Sequence, residues 1–248
     1  MVYELKDTSK AKALFAGMDD TCILSCLQKV MGTVYVTDAD DPRSAFAYLG
    51  CFGFPAGAPD AGLLEAAPKG FSILVPQDRG WEKIIEKTFP AARRVTRYAI
   101  RKDTRFDRKA LTRNLELLPP GYELKPIDGE LYGKCLEKPF SRDFVSCFGS
   151  RDRFLADGMG MVTVKNKEIV SGASSYSRYR EGIEIEVATA EPERRKHLAL
   201  VCCSALILRC LEAGLYPSWD AANLASMGLA QKLGYEFLRE YPAYEVLR

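Results

Sequence analysis

A chain of 248 residues, 47% hydrophobic and 27% charged, is long enough to bury one large or two small cores. Its formal net charge of +2 is too small to indicate a nucleic-acid partner. No apolar run approaches the ~20 residues of a membrane span, and the first residues, MVYELKDTSK, lack the apolar region of a signal peptide. We therefore expect a cytoplasmic globular protein with neither a nucleic-acid nor a membrane partner.

The eight cysteines are scattered along the chain. Cys202, Cys203 and Cys210 share one apolar segment, where reduced cysteines behave as small buried hydrophobic side chains. Cys22 and Cys26 have no further Cys or His at zinc-ligand spacing. The sequence thus predicts neither disulfides nor a metal site.

Short helices and strands alternate in the first half of the chain. The predicted order is two helices within 8–30, paired strands at 32–38 and 44–54, a loop at 53–68, a strand at 71–76, a helix at 81–89, a strand at 93–101 and a helix at 106–118. Pro119-Pro120-Gly121 ends the last helix. We place the domain boundary there, giving an amino-terminal α/β domain over 1–118 and a second domain over 119–248.

The second half predicts a comparable series. It comprises a strand at 122–128, helices at 129–138 and 141–156, a hairpin of 159–166 and 168–180 across Asn166-Lys167, a strand at 182–190, a helix to Leu215, a strand at 217–221, a helix at 223–233 and closing strands near 237–238 and 244–247. This order predicts an α/β fold of the α+β type with a mixed sheet. The rough similarity of the halves is explained by a degenerate internal copy or by coincidence of common α/β units.

The junction between the strand at 182–190 and the helix to Leu215 carries three consecutive cations, Arg194, Arg195 and Lys196. Backbone N–H groups at a helix start have no intrahelical partner and lie at the positive end of the helix dipole. Such a junction favours phosphate groups. It predicts a pyrophosphate site.

Two motifs in this region resemble those of the GNAT superfamily of acyl-CoA N-acyltransferases. Arg194, His197 and Ala199 align with its loop pattern (Gln/Arg)-x-x-Gly-x-(Gly/Ala). A helix of the form Asn-x-x-(Ala/Ser) begins at Asn223 and ends in Lys-Leu-Gly-Tyr at 232–235. More narrowly, Leu198-Ala199, the segment 216–221 and the segment 229–235 are similar to the family of the zwittermicin A resistance acetyltransferase.

The resemblance implies a GNAT-like carboxy-terminal domain, preceded by a smaller α/β domain on the acceptor side, with acetyl-CoA as co-substrate and no metal. The loop residues implied to hold the pyrophosphate are Arg194, Arg195, Lys196, His197, Leu198 and Ala199. Val187, Ala188 and Thr189 are implied to pair with the pantetheine arm, and Asn223 and Ser226 to contact it. Asn223 is equally explained as a helix N-cap.

Two residues depart from the GNAT pattern. His197, the only histidine, replaces the first loop glycine, and Ala230 occupies the position where many members have a tyrosine acid. Glu184 and Glu186 alternate on the strand before the loop, so that one of them is a candidate general base. Alternatively, both line an open cleft or pair with Arg178 or Arg180.

The sequence therefore predicts an acetyl-CoA-dependent N-acetyltransferase acting by direct transfer on an amine of a small molecule. An antibiotic acceptor is implied by the resemblance alone. The alternative is a non-catalytic acyl-CoA-binding regulatory module, suggested by His197 and Ala230. A monomer and a homodimer are both compatible with the sequence.

Overall fold

A computed structural model describes residues 1–66 and 68–248. The chain forms two compact units, of which unit 1 comprises 1–97 and 240–248, and unit 2 comprises 98–239. Among the described residues, no helix combines the length and the apolarity that crossing a membrane requires.

The elements up to residue 100 begin with β1 and a 3₁₀ helix. In chain order they are β1 (Tyr3–Glu4), the 3₁₀ helix (Thr8–Phe15), α1 (Thr21–Leu27), β2 (Thr33–Val36), β3 (Ser44–Leu49), β4 (Phe52–Gly57), α2 (Ala61–Leu64), β5 (Phe71–Leu74), α3 (Arg79–Thr88) and β6 (Arg93–Ile100).

The elements after residue 100 are mostly those of unit 2. They are α4 (Arg108–Leu115), β7 (Glu123–Pro126), α5 (Gly129–Glu137), α6 (Pro139–Arg142), a 3₁₀ helix (Ser146–Phe148), α7 (Arg151–Asp157), β8 (Gly160–Lys165), β9 (Glu168–Tyr179), β10 (Gly182–Thr189), a 3₁₀ helix (Glu191–Glu193), α8 (Leu198–Glu212), β11 (Tyr216–Ser218), β12 (Asp220–Ala221), α9 (Leu224–Lys232) and β13 (Phe237–Leu247).

Unit 1 contains a sheet in the order β1-β2-β3-β4-β5-β13, antiparallel except for the parallel pair β4 and β5. The predicted strand at 44–54 is two strands, because the chain turns at Gly50, whose φ of 60° suits glycine. Phe46, Trp81 and Tyr244 are buried together in its core. The helices begin after side-chain caps, such as Asp78, which accepts from the amides of Gly80 and Trp81.

Unit 2 contains a five-stranded sheet in the order β11-β10-β9-β8-β7, in which only β10 and β11 are parallel. The predicted β8–β9 hairpin is confirmed, with positive φ at Asn166 and Lys167 as a tight two-residue turn requires. Helix α8 lies in the core beside Ile183 and Trp219. Its cysteines are fully buried and reduced, and burial raises the pKa of Cys202 to about 12.

Unit 2 begins before the boundary that the proline-rich turn suggested. Tyr98 and Ala99 of β6 pair with β12, and Leu111 of α4 is buried in the same core as α8. A helix that the sequence pattern placed in the amino-terminal domain therefore belongs to this compact unit. Pro119-Pro120-Gly121 forms a turn within unit 2, because helix termination by proline does not require a domain to end there.

The predicted helix over 141–156 is divided into shorter pieces. Gly149 has a φ of 74° in the left-handed region, which interrupts the helical backbone. Ser150 then caps α7 by accepting from the amide of Arg153. The predicted closing pair of strands is in turn a single strand, β13.

Candidate functional site

Strands β10 and β11 diverge inside unit 2. They are paired from Gly182↔Tyr216 to Glu184↔Ser218 and no further, whereas β12 pairs with β6 at Asp220↔Ala99. The predicted strand at 217–221 is thus two strands with different neighbours. In the described part of the chain, β9 alone pairs with residues 185–189 of β10, and we call the opposite side of these residues the open edge.

Backbone alternation identifies which groups face the open edge. The carbonyl of Glu181 accepts from the amide of Tyr216 at 2.8 Å on the β11 side, whereas the amide of Ala190 donates to Val170 at 2.8 Å on the β9 side. Because consecutive strand residues alternate, the amides of Val187 and Thr189 face the open edge and that of Ala188 faces β9. This edge offers N–H and C=O groups to an extended ligand.

The loop from Arg194 to Ala199 connects β10 to α8 through an unusual backbone. Arg195 has a φ of 63° and His197 a φ of 61°, both in the left-handed region. For a residue other than glycine this conformation costs about 1–2 kcal/mol. The loop glycine of the GNAT pattern is therefore replaced here by a histidine that keeps the backbone conformation glycine favours. The side chain of His197 is exposed.

The start of α8 lacks a side-chain cap. His197 occupies the N-cap position and accepts no first-turn amide through its side chain, and the first bond within the helix joins the amide of Val201 to the carbonyl of His197 at 3.0 Å. In the described part of the chain, every other α-helix of seven or more residues has such a cap, from Asp20, Asp78, Asp107, Asp128, Ser150 or Asn223. The first-turn amides of Leu198, Ala199 and Leu200 can therefore receive an anion.

The three loop cations differ in their contacts. Arg194 is exposed, with Nε 3.5 Å from the carbonyl oxygen of Thr189. Arg195 is exposed and makes no hydrogen bond or ion pair with any described residue. Lys196 instead donates from Nζ to the Glu193 carboxylate at 2.6 Å. Two guanidinium groups are thus more accessible to a ligand than the lysine is.

Glu193 is the centre of a polar cluster that the sequence pattern did not reveal. Its carboxylate accepts from Lys196, from the Tyr122 hydroxyl and from Lys165 Nζ, the last at 3.1 Å. Hydrogen bonds from Lys196, Tyr122 and Lys165 lower the pKa of Glu193 to about 2. The charge spacing of Glu193 and Lys196 was visible in the sequence, but Tyr122 immediately precedes β7 and Lys165 ends β8, both far from Glu193 in the chain. The cluster ties the loop to β7 and β8.

Asn223 and Ser226 occupy the start of α9. The Oδ1 atom of Asn223 accepts from the amide of Ser226 at 3.0 Å, so Asn223 caps the helix as the simpler interpretation held. Its side chain is exposed, which leaves the Nδ2 donor accessible. The Ser226 hydroxyl accepts from Trp219 Nε1 at 3.2 Å. Ala230 is fully buried in the core of unit 2.

The two candidate carboxylates lie in different environments. Glu184 is buried at the last β10–β11 pair, and its Oε2 lies 3.8 Å from Lys102 Nζ. Lys102 also donates to the Ser218 hydroxyl at 2.7 Å. Glu186 is half-buried beside the open edge. No group of three His, Cys, Asp or Glu side chains that could hold a metal ion occurs among the described residues.

Known proteins share this architecture. A family profile described as GNAT acetyltransferase matches residues 12–244. The chain is 27% identical to the uncharacterized N-acetyltransferase YdfB of Bacillus subtilis, over 96% of this chain and 95% of that one. It is 43% identical to a GCN5-related N-acetyltransferase-like protein from Streptococcus suis, with a TM-score of 0.92 over 97% of this chain and 98% of that one.

A tandem GNAT protein from the clavulanic acid biosynthesis pathway shares the fold at 10% identity. Its TM-score is 0.53 over 99% of this chain and 98% of that one. The α/β fold with mixed sheets predicted from the sequence is therefore confirmed, and its two compact units are consistent with such tandem structures. The chain belongs to the GNAT acetyltransferase family.

Proposed function

We propose that this acetyltransferase transfers the acetyl group of acetyl-CoA directly to an amine of a small molecule. The observation that carries the proposal is the open edge of β10, which leads through the left-handed loop to the uncapped start of α8. The non-catalytic alternative is not favoured, because the matching family is one of acetyltransferases.

The main chain provides most of the proposed cofactor contacts. The amides of Leu198, Ala199 and Leu200 suit a pyrophosphate, and Arg194 and Arg195 add positive charge beside them. The groups of Val187 and Thr189 that face the open edge suit the amides of a pantetheine arm. Bound acetyl-CoA would supply an acetyl group activated as a thioester, and an open-edge N–H would polarise its carbonyl.

Several other predicted residues have supporting roles in this proposal. Ala188 pairs with β9 and so holds β10 in the sheet. Lys196 contributes through its hydrogen bond to Glu193 rather than by contacting the cofactor. His197 adopts the left-handed backbone, while the exposed Nδ2 of Asn223 is available to the arm. The Ser226 hydroxyl accepts the hydrogen bond from Trp219 Nε1.

Glu186 is our assignment for the general base. It is half-buried beside the open edge, whereas the carboxylate of Glu184 is buried and lies next to the Lys102 ammonium, which leaves it less available to an acceptor amine. Replacement of the base should lower kcat by roughly 10²–10⁴-fold. We expect this loss in Glu186→Gln. A normal rate in that variant together with a lost rate in a folded Glu184→Gln would transfer the role to Glu184.

The acceptor class is supported by resemblance. The segments 216–221 and 229–235 are similar to the zwittermicin A resistance acetyltransferase family, which favours an amine-bearing antibiotic. Ala230 carries no proton donor, so the acid is water or another group in place of the tyrosine of other members.

Calorimetry with acetyl-CoA tests the proposal. The paired variant Arg194→Glu with Arg195→Glu should weaken binding roughly 10²–10⁴-fold, since two lost charge-assisted contacts of about 1.5–3 kcal/mol each sum to about 3–6 kcal/mol. Arg151→Glu with Arg153→Glu is the matched control, because both arginines are exposed on α7. Thiol release with polyamines, aminoglycosides and amino acids then tests turnover. The proposal would be wrong if the wild-type protein did not bind acetyl-CoA, or if the two paired variants bound it equally well.

A further inference from the structure

The loop before α8 keeps two residues other than glycine in the left-handed region, Arg195 and His197. Such conformations persist only where the surrounding structure restrains the backbone. His197 contributes no side-chain cap, and Arg195 has no polar contact with the described residues. The side chains of these two residues therefore do not supply the restraint, and the residues that contact the loop are its candidate source.

Glu193 provides such a restraint immediately before the loop. Its side chain is 15% exposed, and it connects three segments of unit 2. Tyr122 and Lys165 hold it from the sheet side, with their own contact of 3.2 Å between Lys165 Nζ and the Tyr122 hydroxyl. Lys196 holds it from inside the loop at 2.6 Å and also lies 3.4 Å from the Tyr122 hydroxyl.

The contacts span the strained region from both directions. Lys196 lies between the two left-handed residues, so fixing its ammonium to Glu193 limits the rotations of Arg195 and His197. Residues Glu191–Glu193 form a 3₁₀ turn, which sets the position from which the Glu193 side chain extends.

We propose that Glu193 is a positioning residue that holds the 194–199 loop in its left-handed form and thereby sets the affinity for acetyl-CoA. This inference rests on the proposed function of the same loop. Glu193 itself need not touch the ligand, because it acts through Lys196 and the backbone.

Electrostatics alone would give the opposite effect. Removing the Glu193 carboxylate leaves Lys165 and Lys196 without their common anion, which increases the positive potential at the proposed phosphate site. A ligand with phosphate groups would then bind more tightly, and more so at low salt. A positioning role predicts weaker binding despite the gain in positive charge, so the direction of the change separates the two roles.

Calorimetry with acetyl-CoA on four proteins tests the inference: wild type, Glu193→Ala, His197→Gly and the double variant. We expect Glu193→Ala to weaken binding about tenfold in the wild-type background. Glycine at position 197 adopts the left-handed backbone without strain and so needs no restraint. In the His197→Gly background, Glu193→Ala should therefore weaken acetyl-CoA binding less than about threefold. Glu191→Ala is the matched control, since Glu191 is exposed in the same turn.

A second variant keeps the net charge constant. Tyr122→Phe removes one hydroxyl contact to Glu193 without altering charge, and it should also weaken acetyl-CoA binding. If thermal unfolding shows that Glu193→Ala does not fold, Tyr122→Phe tests the positioning role in its place. Unchanged or tighter binding in folded Glu193→Ala, or an equal loss in both backgrounds, would overturn the positioning role.

Hydrogen–deuterium exchange separates this inference from the proposed function. If wild-type protein does not bind acetyl-CoA, the proposed function fails, but the loop can still be examined. Amides of 194–199 should exchange faster in Glu193→Ala than in Glu191→Ala. Equal exchange in the two variants would show that Glu193 does not hold the loop.

Discussion

Glu184 and Ser218 are the last register pair between β10 and β11, and Lys102 Nζ lies 2.7 Å from the Ser218 hydroxyl and 3.8 Å from the Glu184 carboxylate. The point where the two strands separate therefore coincides with a buried charged contact. Beyond it, β10 continues toward the loop with one side open, while the chain after Ser218 joins β6. Separation of these strands creates the edge on which the proposed cofactor site depends.

Lys102 should stabilise this strand junction through Glu184. Lys102→Met leaves a carboxylate with a 9% exposed side chain beside an apolar group, which should lower the free energy of unfolding by about 1–3 kcal/mol. Glu184→Gln should cost less in the Lys102→Met background than in wild type, because the two residues interact. Urea unfolding of the four proteins in a double-mutant cycle measures this coupling. Strictly additive effects would contradict the ion pair.

Local features of the fold could be predicted from the sequence, whereas strand partnership could not. The turn at Asn166-Lys167 depends on adjacent residues, and so does the apolar helix α8. The division of 217–221 into two strands depends on pairing with Ala99, a residue distant in the sequence. Short-range patterns do not specify such partners.

The candidate site shows the same division between local and distant contacts. His197 was recognisable as a departure from the glycine pattern, and its left-handed backbone explains why glycine is usual there. The cluster around Glu193 was not recognisable, because Tyr122 and Lys165 reach it through the sheet. The contact between Lys102 and Ser218 likewise joins residues that are far apart in the sequence.

Substitutions of Asn223 should distinguish its role as a helix cap from its proposed contact with the cofactor. Asn223→Asp keeps an oxygen that accepts from the Ser226 amide but removes the Nδ2 donor, so stability should be retained while acetyl-CoA binding weakens. Asn223→Ala should also lower the free energy of unfolding by about 1 kcal/mol through loss of the cap. Denaturant unfolding and calorimetry measure the two effects. Asp107→Ala, which removes the cap of α4, should reduce stability only. Undiminished binding in Asn223→Asp would leave Asn223 with a capping role alone.

Ala230 should not accept the tyrosine found in many GNAT members. The position is fully buried in the core of unit 2, so Ala230→Tyr overpacks the core and should lower the free energy of unfolding by about 1–3 kcal/mol or more. Gln231→Tyr introduces the same side chain at the adjacent exposed position and should change stability little. Urea unfolding compares the two. Full stability with a higher kcat in Ala230→Tyr would mean that the pocket has room for a tyrosine acid.

The Glu193 cluster should make stability depend on pH in acid. Hydrogen bonds from Lys196, Tyr122 and Lys165 lower the pKa of Glu193 from its ordinary value of 4.5 to about 2 in the folded protein. The unfolded chain therefore binds this proton first as pH falls. The stabilisation from the ionised carboxylate is complete above its unfolded pKa and is lost as pH falls from about 4.5 to about 2.

Urea midpoints of wild type and Glu193→Ala, measured from neutral pH into this range, should differ by a constant amount above about pH 5.5. The difference should then shrink as pH falls through the window between the two pKa values. Lys165 and Lys196 remain charged throughout this acid range, because the ordinary lysine pKa of 10.5 lies far above it. Hydrogen bonds with Tyr122 and Glu193 raise the pKa of Lys165 further, and hydrogen bonds with Glu193 and Tyr122 do the same for Lys196. Glu191→Ala is the matched control, since the described residues form no comparable cluster around Glu191, which is exposed in the same turn. A wild-type advantage that stays constant down to pH 2, or grows, would show that the contribution of Glu193 to stability does not come from its ionised carboxylate.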